Sequence, residues 1–293
     1  MPLTLGDHRL ELPDGRTLGY TVYGDPDGHV VLSCHGGLVS GHDARPADGP
    51  AHDLGLCLVS PDRPGVGRTD RLPGHGLLPW VRADVVPLLE HLDVERCAVR
   101  GWSEGGQYAL AVAAELGGRV TRCAVVAGCP PLDDQATFAD LNRLDRTLAG
   151  LARRAPVVAR GYFHVVGLTA RAAPGALIRS GTRGLPPDEV AAVSAQGRWL
   201  STVLGEGAHQ PYGGVDEYRA FVAPWGFRPE DVAVPVRIFQ GGADQLVPPA
   251  WAKVLADRIP GAELTEYPDG GHFIVLTRND DVLRYLAGER AGA

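Results

Sequence analysis

The 293-residue sequence predicts an α/β fold: a mostly parallel, doubly wound sheet of about eight strands, interrupted late by a helical insertion. Three observations carry this. Short apolar runs alternate with helix-patterned runs over residues 1–129 and again over 228–293, which calls for parallel strands with helices on both faces. Between about Pro130 and Phe227 the rhythm stops and the periodicity is helical only. The chemically promising residues sit just past strand ends, where such sheets bind ligands.

Strands are expected at Arg9–Leu12, Thr17–Tyr23, Val30–Cys34, Leu56–Ser60, Arg96–Arg100, Thr121–Ala127, Val236–Gln240 and Glu263–Tyr267. Pro13-Asp14-Gly15 is a turn signal, so the first two should form an antiparallel hairpin. Helices are expected at Ala44–Leu54, Leu77–Leu92, Glu104–Leu116, Pro249–Arg258 and Phe273–Leu286. In the insertion, Phe138, Leu141, Leu144, Leu148 and Leu151 recur at helical spacing behind Asp133-Asp134, a fit for an N-cap. A second helix starts at Pro186-Pro187-Asp188-Glu189 and continues through Val203 and Leu204.

Composition narrows the function classes. The net charge is -7, and Arg153-Arg154 is the only adjacent basic pair, which argues against a nucleic-acid partner. Cys34, Cys57, Cys97, Cys123 and Cys129 are an odd number and mostly lie in apolar runs. They read as buried free thiols of a reducing compartment. No C-x-x-C or H-E-x-x-H occurs, so no metal is expected. Met1–Asp7 lacks a basic and an apolar region, and no stretch is long enough to span a bilayer. A soluble, cytoplasmic protein with a small-molecule substrate is the expectation; the oligomeric state is open.

The most informative motif is Gly101-Trp102-Ser103-Glu104-Gly105 between a strand and a helix. A serine on a tight strand-to-helix turn projects its hydroxyl clear of the sheet, and flanking glycines permit the turn. The helix that follows aims its N-terminal amides at the site, which favours negative charge. A serine hydroxyl is a weak nucleophile at neutral pH and needs an imidazole, and the imidazole needs a carboxylate. Asp244 lies in Gly241–Pro248 just past a strand, and His272 follows Gly270-Gly271 near the C-terminus. Ser103, Asp244 and His272 therefore fit the roles of nucleophile, orienting acid and base.

Together His35-Gly36-Gly37, Asp62–Thr69, Gly101–Gly106 and Gly241–Pro248 with Gly271-His272 resemble the α/β-hydrolase superfamily. The four segments span most of the chain in the family's order; Thr69 stands where many relatives carry serine. The resemblance implies that the amides of Gly37 and Glu104 form an oxyanion hole, and that 130–227 is a helical cap over a core of 1–129 and 228–293. It implies hydrolysis of an ester, lactone, thioester or amide through an acyl-enzyme, with no cofactor. The alternatives are a non-hydrolytic enzyme of this fold (lyase, cofactor-free haloperoxidase-like or acyltransferase) or a slow-turnover receptor. Pro64-Gly65-Val66-Gly67 lacks a full dinucleotide fingerprint and reads as a loop that shapes the pocket. His35 is expected to brace its loop, and Asp133 and Asp134 to cap a helix.

Overall fold

The computed structural model describes residues 3–289. Its strands are β1 (Gly6–Glu11), β2 (Thr17–Gly24), β3 (His29–Cys34), β4 (Leu56–Pro61), β5 (Cys97–Trp102), β6 (Val120–Val126), β7 (Val236–Gly241) and β8 (Glu263–Tyr267). They form one sheet in the order β1-β2-β4-β3-β5-β6-β7-β8. β2 runs antiparallel to both β1 and β4, and every other pairing is parallel. The expected hairpin and mostly parallel sheet are both present.

Burial explains which strands are central. β4 and β5 are buried at every position, as strands covered on both faces must be, whereas edge strand β1 has no buried residue. One face packs Trp80, Leu88, Tyr108 and Leu110 from the helical run Leu77–His91 and the helix Gly105–Leu116. The other packs Trp102 and Phe239 against Ile274 and Leu283 from the C-terminal helices. Strand order reverses around β3, whose neighbours are β4 on one side and β5 on the other. The carboxyl ends of β3 and β5 meet at this reversal, the place where doubly wound sheets bind ligands.

The insertion between β6 and β7 is more finely divided than its periodicity suggests. Seven helices occupy it: Gln135–Asp140, Arg143–Arg154, Pro156–Ala172, Pro174–Gly181, Pro187–Ala195, Trp199–Gly207 and Pro211–Phe221. The first expected helix breaks at Leu141-Asn142, because the Asn142 side chain accepts the Asp145 amide at 3.0 Å and starts a new helix. The second breaks at Gly197, whose φ of +62° takes the left-handed turn that ends helices. Leu148, Phe163, Tyr218 and Phe221 form the insertion's own apolar cluster, which reaches Val247 and Trp251 after β7.

Candidate active site

Ser103 sits on a sharp turn between β5 and the helix Gly105–Leu116, with φ +55°, a region unfavourable for a residue with a β-carbon. Its N–H donates to the Val126 carbonyl at 2.8 Å and its carbonyl accepts the Gly106 N–H at 2.9 Å, so the neighbouring backbone holds the strained conformation. The glycines around it are required by contact. A β-carbon on Gly101 would come within 2.0 Å of the Gly105 carbonyl oxygen, and one on Gly105 within 2.1 Å of the Cys34 carbonyl oxygen. The motif is therefore a packed junction of β5, the following helix and the end of β3.

Asp244 and His272 are brought together from the ends of β7 and β8. His272 donates through Nδ1 to Asp244 Oδ2 at 2.9 Å, leaving Nε2 to accept a proton. Asp244 Oδ1 accepts the amides of Leu246 and Val247 at 2.8 and 3.0 Å, and Gln240 Nε2 reaches Oδ2 at 3.3 Å. Burial would raise the Asp244 carboxyl, but the His272 charge and these donors hold it below its ordinary value. Burial would lower His272, but the Asp244 carboxylate, with Glu189 and Asp145 adding to it, outweighs burial and the imidazole lies above its ordinary value. Trp102, the residue before Ser103, ties the elements together: its indole N–H donates to the His272 carbonyl at 3.0 Å, and the two rings lie 5.5 Å apart. No hydrogen bond joins the Ser103 hydroxyl to His272 among the described residues; such contacts in unliganded sites often tighten when substrate binds.

The loop after β3 offers a pair of open donors. The Gly36 N–H is taken by Asp43 Oδ2 at 3.0 Å, whereas the amides of Gly37 and Glu104 find no acceptor among the described residues. His35 braces this loop. Its Nδ1–H donates to the Gly36 carbonyl at 2.8 Å and its Nε2 accepts the Arg63 N–H at 3.1 Å. Burial, assisted by the Arg63 charge, holds His35 far below its ordinary pKa, so it stays neutral. The Arg63 side chain is itself buried. It donates to the carbonyls of His35 and Gly36 and pairs through Nε with Glu217 Oε1 at 2.6 Å.

With this geometry in view, comparison with known proteins is informative. Residues 29–279 match the alpha/beta hydrolase fold family. The chain belongs to that family. Over 258 residues it is 29% identical to the magnesium-chelatase 30 kDa subunit of Rhodobacter capsulatus, covering 86% of this chain and 83% of that protein. Similar solved structures include the enol-lactonase from Burkholderia xenovorans LB400 (18% identity, TM-score 0.70, 96% of this chain and 98% of that one). A bromoperoxidase from Bacillus anthracis aligns at 20% identity, TM-score 0.73 and the same coverages. An esterase from Exiguobacterium antarcticum aligns at 17% identity and TM-score 0.70, over 97% and 98% of the two chains. Identities this low establish a common fold and leave the reaction open.

The remaining expectations can be placed on this α/β-hydrolase frame. Asp134 caps the helix Gln135–Asp140 by accepting the Thr137 amide at 2.8 Å. The Pro64–Gly67 loop closes on its own Asp62, whose carboxylate accepts the Gly41 amide at 2.8 Å and the Arg68 amide at 3.1 Å. Thr69 serves as a brace, donating to the Asp62 carbonyl at 2.7 Å and accepting the Gly19 amide at 2.9 Å. All five cysteines are buried and unpaired, and among the described residues no cluster could hold a metal and no helix is long and apolar enough to cross a membrane.

Sequence reasoning missed Glu189, which it assigned only to a helix start. The structure buries this carboxylate from the insertion beside the His272 loop. Its two oxygens accept the amides of Gly271 at 2.7 Å and Phe273 at 3.0 Å, on either side of His272. Burial pushes the carboxyl up and the two amides oppose that shift. An acid in a helix's first turn has an ordinary explanation, so nothing in the local pattern marks a contact to a loop 82 residues away. Arg63 and Glu217 were missed because charged side chains ordinarily face solvent and nothing in the local pattern marks their burial.

Proposed function

We propose that this protein is a serine hydrolase that cleaves an ester, lactone, thioester or amide of a small to medium hydrophobic molecule through an acyl-enzyme. The observation that carries the reading is the strained Ser103 just past the end of β5, one residue from the Trp102 that holds the Asp244-paired His272. Ser103 Oγ attacks the carbonyl carbon while His272 Nε2 takes the hydroxyl proton. The carbonyl oxygen becomes an oxyanion and accepts the amides of Gly37 and Glu104; one such donor contributes about 3–4 kcal/mol in a comparable enzyme. The intermediate collapses as His272 returns the proton to the leaving group. Water, deprotonated by His272, then cleaves the acyl-enzyme and restores Ser103. Asp244 orients the imidazole and stabilises its charged form. No step requires a cofactor or metal.

In this reading residues 1–129 and 228–293 are the catalytic core, and 130–227 is a cap that selects the acyl group. The buried unpaired cysteines support a reducing, cytoplasmic setting. The test is covalent labelling with a fluorophosphonate, followed by peptide mass spectrometry. The adduct should fall on Ser103 and vanish in Ser103→Ala; an adduct on another serine defeats the assignment. A second reading, a non-hydrolytic role, is favoured by the relative that carries the name of a magnesium-chelatase subunit. Turnover of a panel of acyl esters would support the first reading, and labelling of Ser103 without turnover of any ester would support the second.

A further inference from the structure

The reading above uses Glu104 only through its backbone amide, yet its side chain is the least explained group beside Ser103. The residue is 5% exposed, and its Oε1 has no hydrogen-bond partner among the described residues. Oε2 lies against the loop after β3, so close that a β-carbon on Gly37 would meet it at 2.5 Å. Arg63 is the cation that acts on this carboxyl, but three of its five N–H groups donate to Glu217 and to the carbonyls of His35 and Gly36, and no hydrogen bond joins it to Glu104 among the described residues. One guanidinium thus serves two buried carboxyls. Glu217 holds the direct bond, and Glu104 is left without one. Burial pushes the Glu104 carboxyl far above the ordinary range, with the Glu217 charge adding to the shift and Arg63 opposing it.

A buried carboxylic acid has one O–H to donate and oxygens to accept, and native folds rarely leave such a group unused. This one adjoins the proposed nucleophile in sequence and contacts the residue whose amide would receive the oxyanion. We propose that the Glu104 carboxyl recognises substrate by exchanging hydrogen bonds with a hydroxyl on the carbon next to the scissile carbonyl. The preferred substrates are then derivatives of α-hydroxy acids. A hydroxyl matches the neutral acid in both directions, as donor and as acceptor. An ammonium group has no lone pair to accept the acid's proton and would be desolvated in the field of Arg63. The proposal deepens the hydrolase reading and rests on its placement of the carbonyl beside Gly37.

The experiment compares ligands that differ only in that hydroxyl. Binding of mandelamide and phenylacetamide is measured by calorimetry in Ser103→Ala protein, so the comparison does not depend on turnover. Mandelamide should bind roughly ten- to a hundredfold more tightly, the range expected when a buried hydrogen-bonding group gains or lacks its partner. Adding Glu104→Leu should bring the ratio to about one, whereas Glu104→Gln, which keeps a donor and an acceptor, should retain most of it. In protein with Ser103 intact, kcat/KM for methyl mandelate relative to methyl phenylacetate should fall by a similar factor on Glu104→Leu, a comparison that cancels intrinsic ester reactivity. Equal affinity for the two amides, no saturable binding of mandelamide, or an unchanged ratio in Glu104→Leu would overturn the proposal. Labelling of Ser103 judges the hydrolase reading separately, so failure of one is distinguishable from failure of the other.

Discussion

Replacing Ser103 with glycine should remove the proposed chemistry and stabilise the fold relative to alanine at the same position. Both substitutions delete the hydroxyl, so their comparison isolates the backbone. At φ +55° a residue with a β-carbon stands in the left-handed region, at a cost of about 1–2 kcal/mol that glycine does not incur. Glycine is more flexible when unfolded, which offsets about 0.5–1 kcal/mol of that gain. The bonds from the Ser103 N–H to Val126 and from Gly106 to the Ser103 carbonyl are main-chain and survive in both variants. The net expectation is that Ser103→Gly exceeds Ser103→Ala by about 0.5–1 kcal/mol, roughly 1–3 °C in Tm for a chain of this size. Urea unfolding of the two variants side by side provides the free energy, and calorimetry the midpoint. A glycine variant that melts below the alanine variant would show that the turn stores no strain and that the argument from φ fails.

Four further outcomes are expected. Asp244→Asn should cut turnover by about ten-thousandfold, the effect of the analogous change in a serine protease. It should also move the acid limb of kcat/KM to lower pH, because the charge that chiefly opposes burial at His272 is then lost and only Glu189 and Asp145 still act against it; a limb that stays in place would count against the pairing. Glu189→Ala leaves two buried amides unpaired and should cost about 2–4 kcal/mol in urea unfolding, with kcat falling more than KM changes; Glu189→Gln should be intermediate. Gly105→Ala pushes a β-carbon into the Cys34 carbonyl and should cost about 3 kcal/mol or more while abolishing labelling of Ser103; near-native stability would contradict the packed junction. His42 is raised from 6.5 to about 9, chiefly by Glu206, with Asp7 helping and burial opposing. Its contribution to stability is complete below pH 6.5 and is lost as pH rises toward about 9, so His42→Gln should flatten the fall of Tm across that window.

The strands were legible because a sheet covered on both faces needs continuous apolar segments, and β3, β4 and β6 carry them at Val30–Leu32, Leu56–Val59 and Cys123–Val126. The proposed triad was legible because each member follows a strand end and sits among glycines whose local geometry demands them. The insertion was less readable. Pro156, Pro174 and Pro211 each stand in the first turn of a helix that the apolar periodicity did not reveal, so proline position carried the missing signal. The supporting contacts were not legible at all. Glu189, Arg63 and Glu217 are charged residues that would ordinarily face solvent, and only the tertiary fold turns them inward to hold the His272 and His35 loops.

The carboxylate of Glu189 also constrains how this protein could be remodelled. Swapping the insertion for one from a relative is an obvious route to a new substrate range, since that segment and the strand-end loops are separate stretches of chain. Here the two are not independent modules. A transplanted insertion without an acceptor at this place would fold over an intact Ser103 and Asp244 and still leave the Gly271 and Phe273 amides unpaired, with the imidazole between them free to wander. Such a chimera would be expected to bind its new ligand and turn it over poorly, a failure easily mistaken for wrong specificity. Grafts should therefore carry the acid along with the helix that presents it.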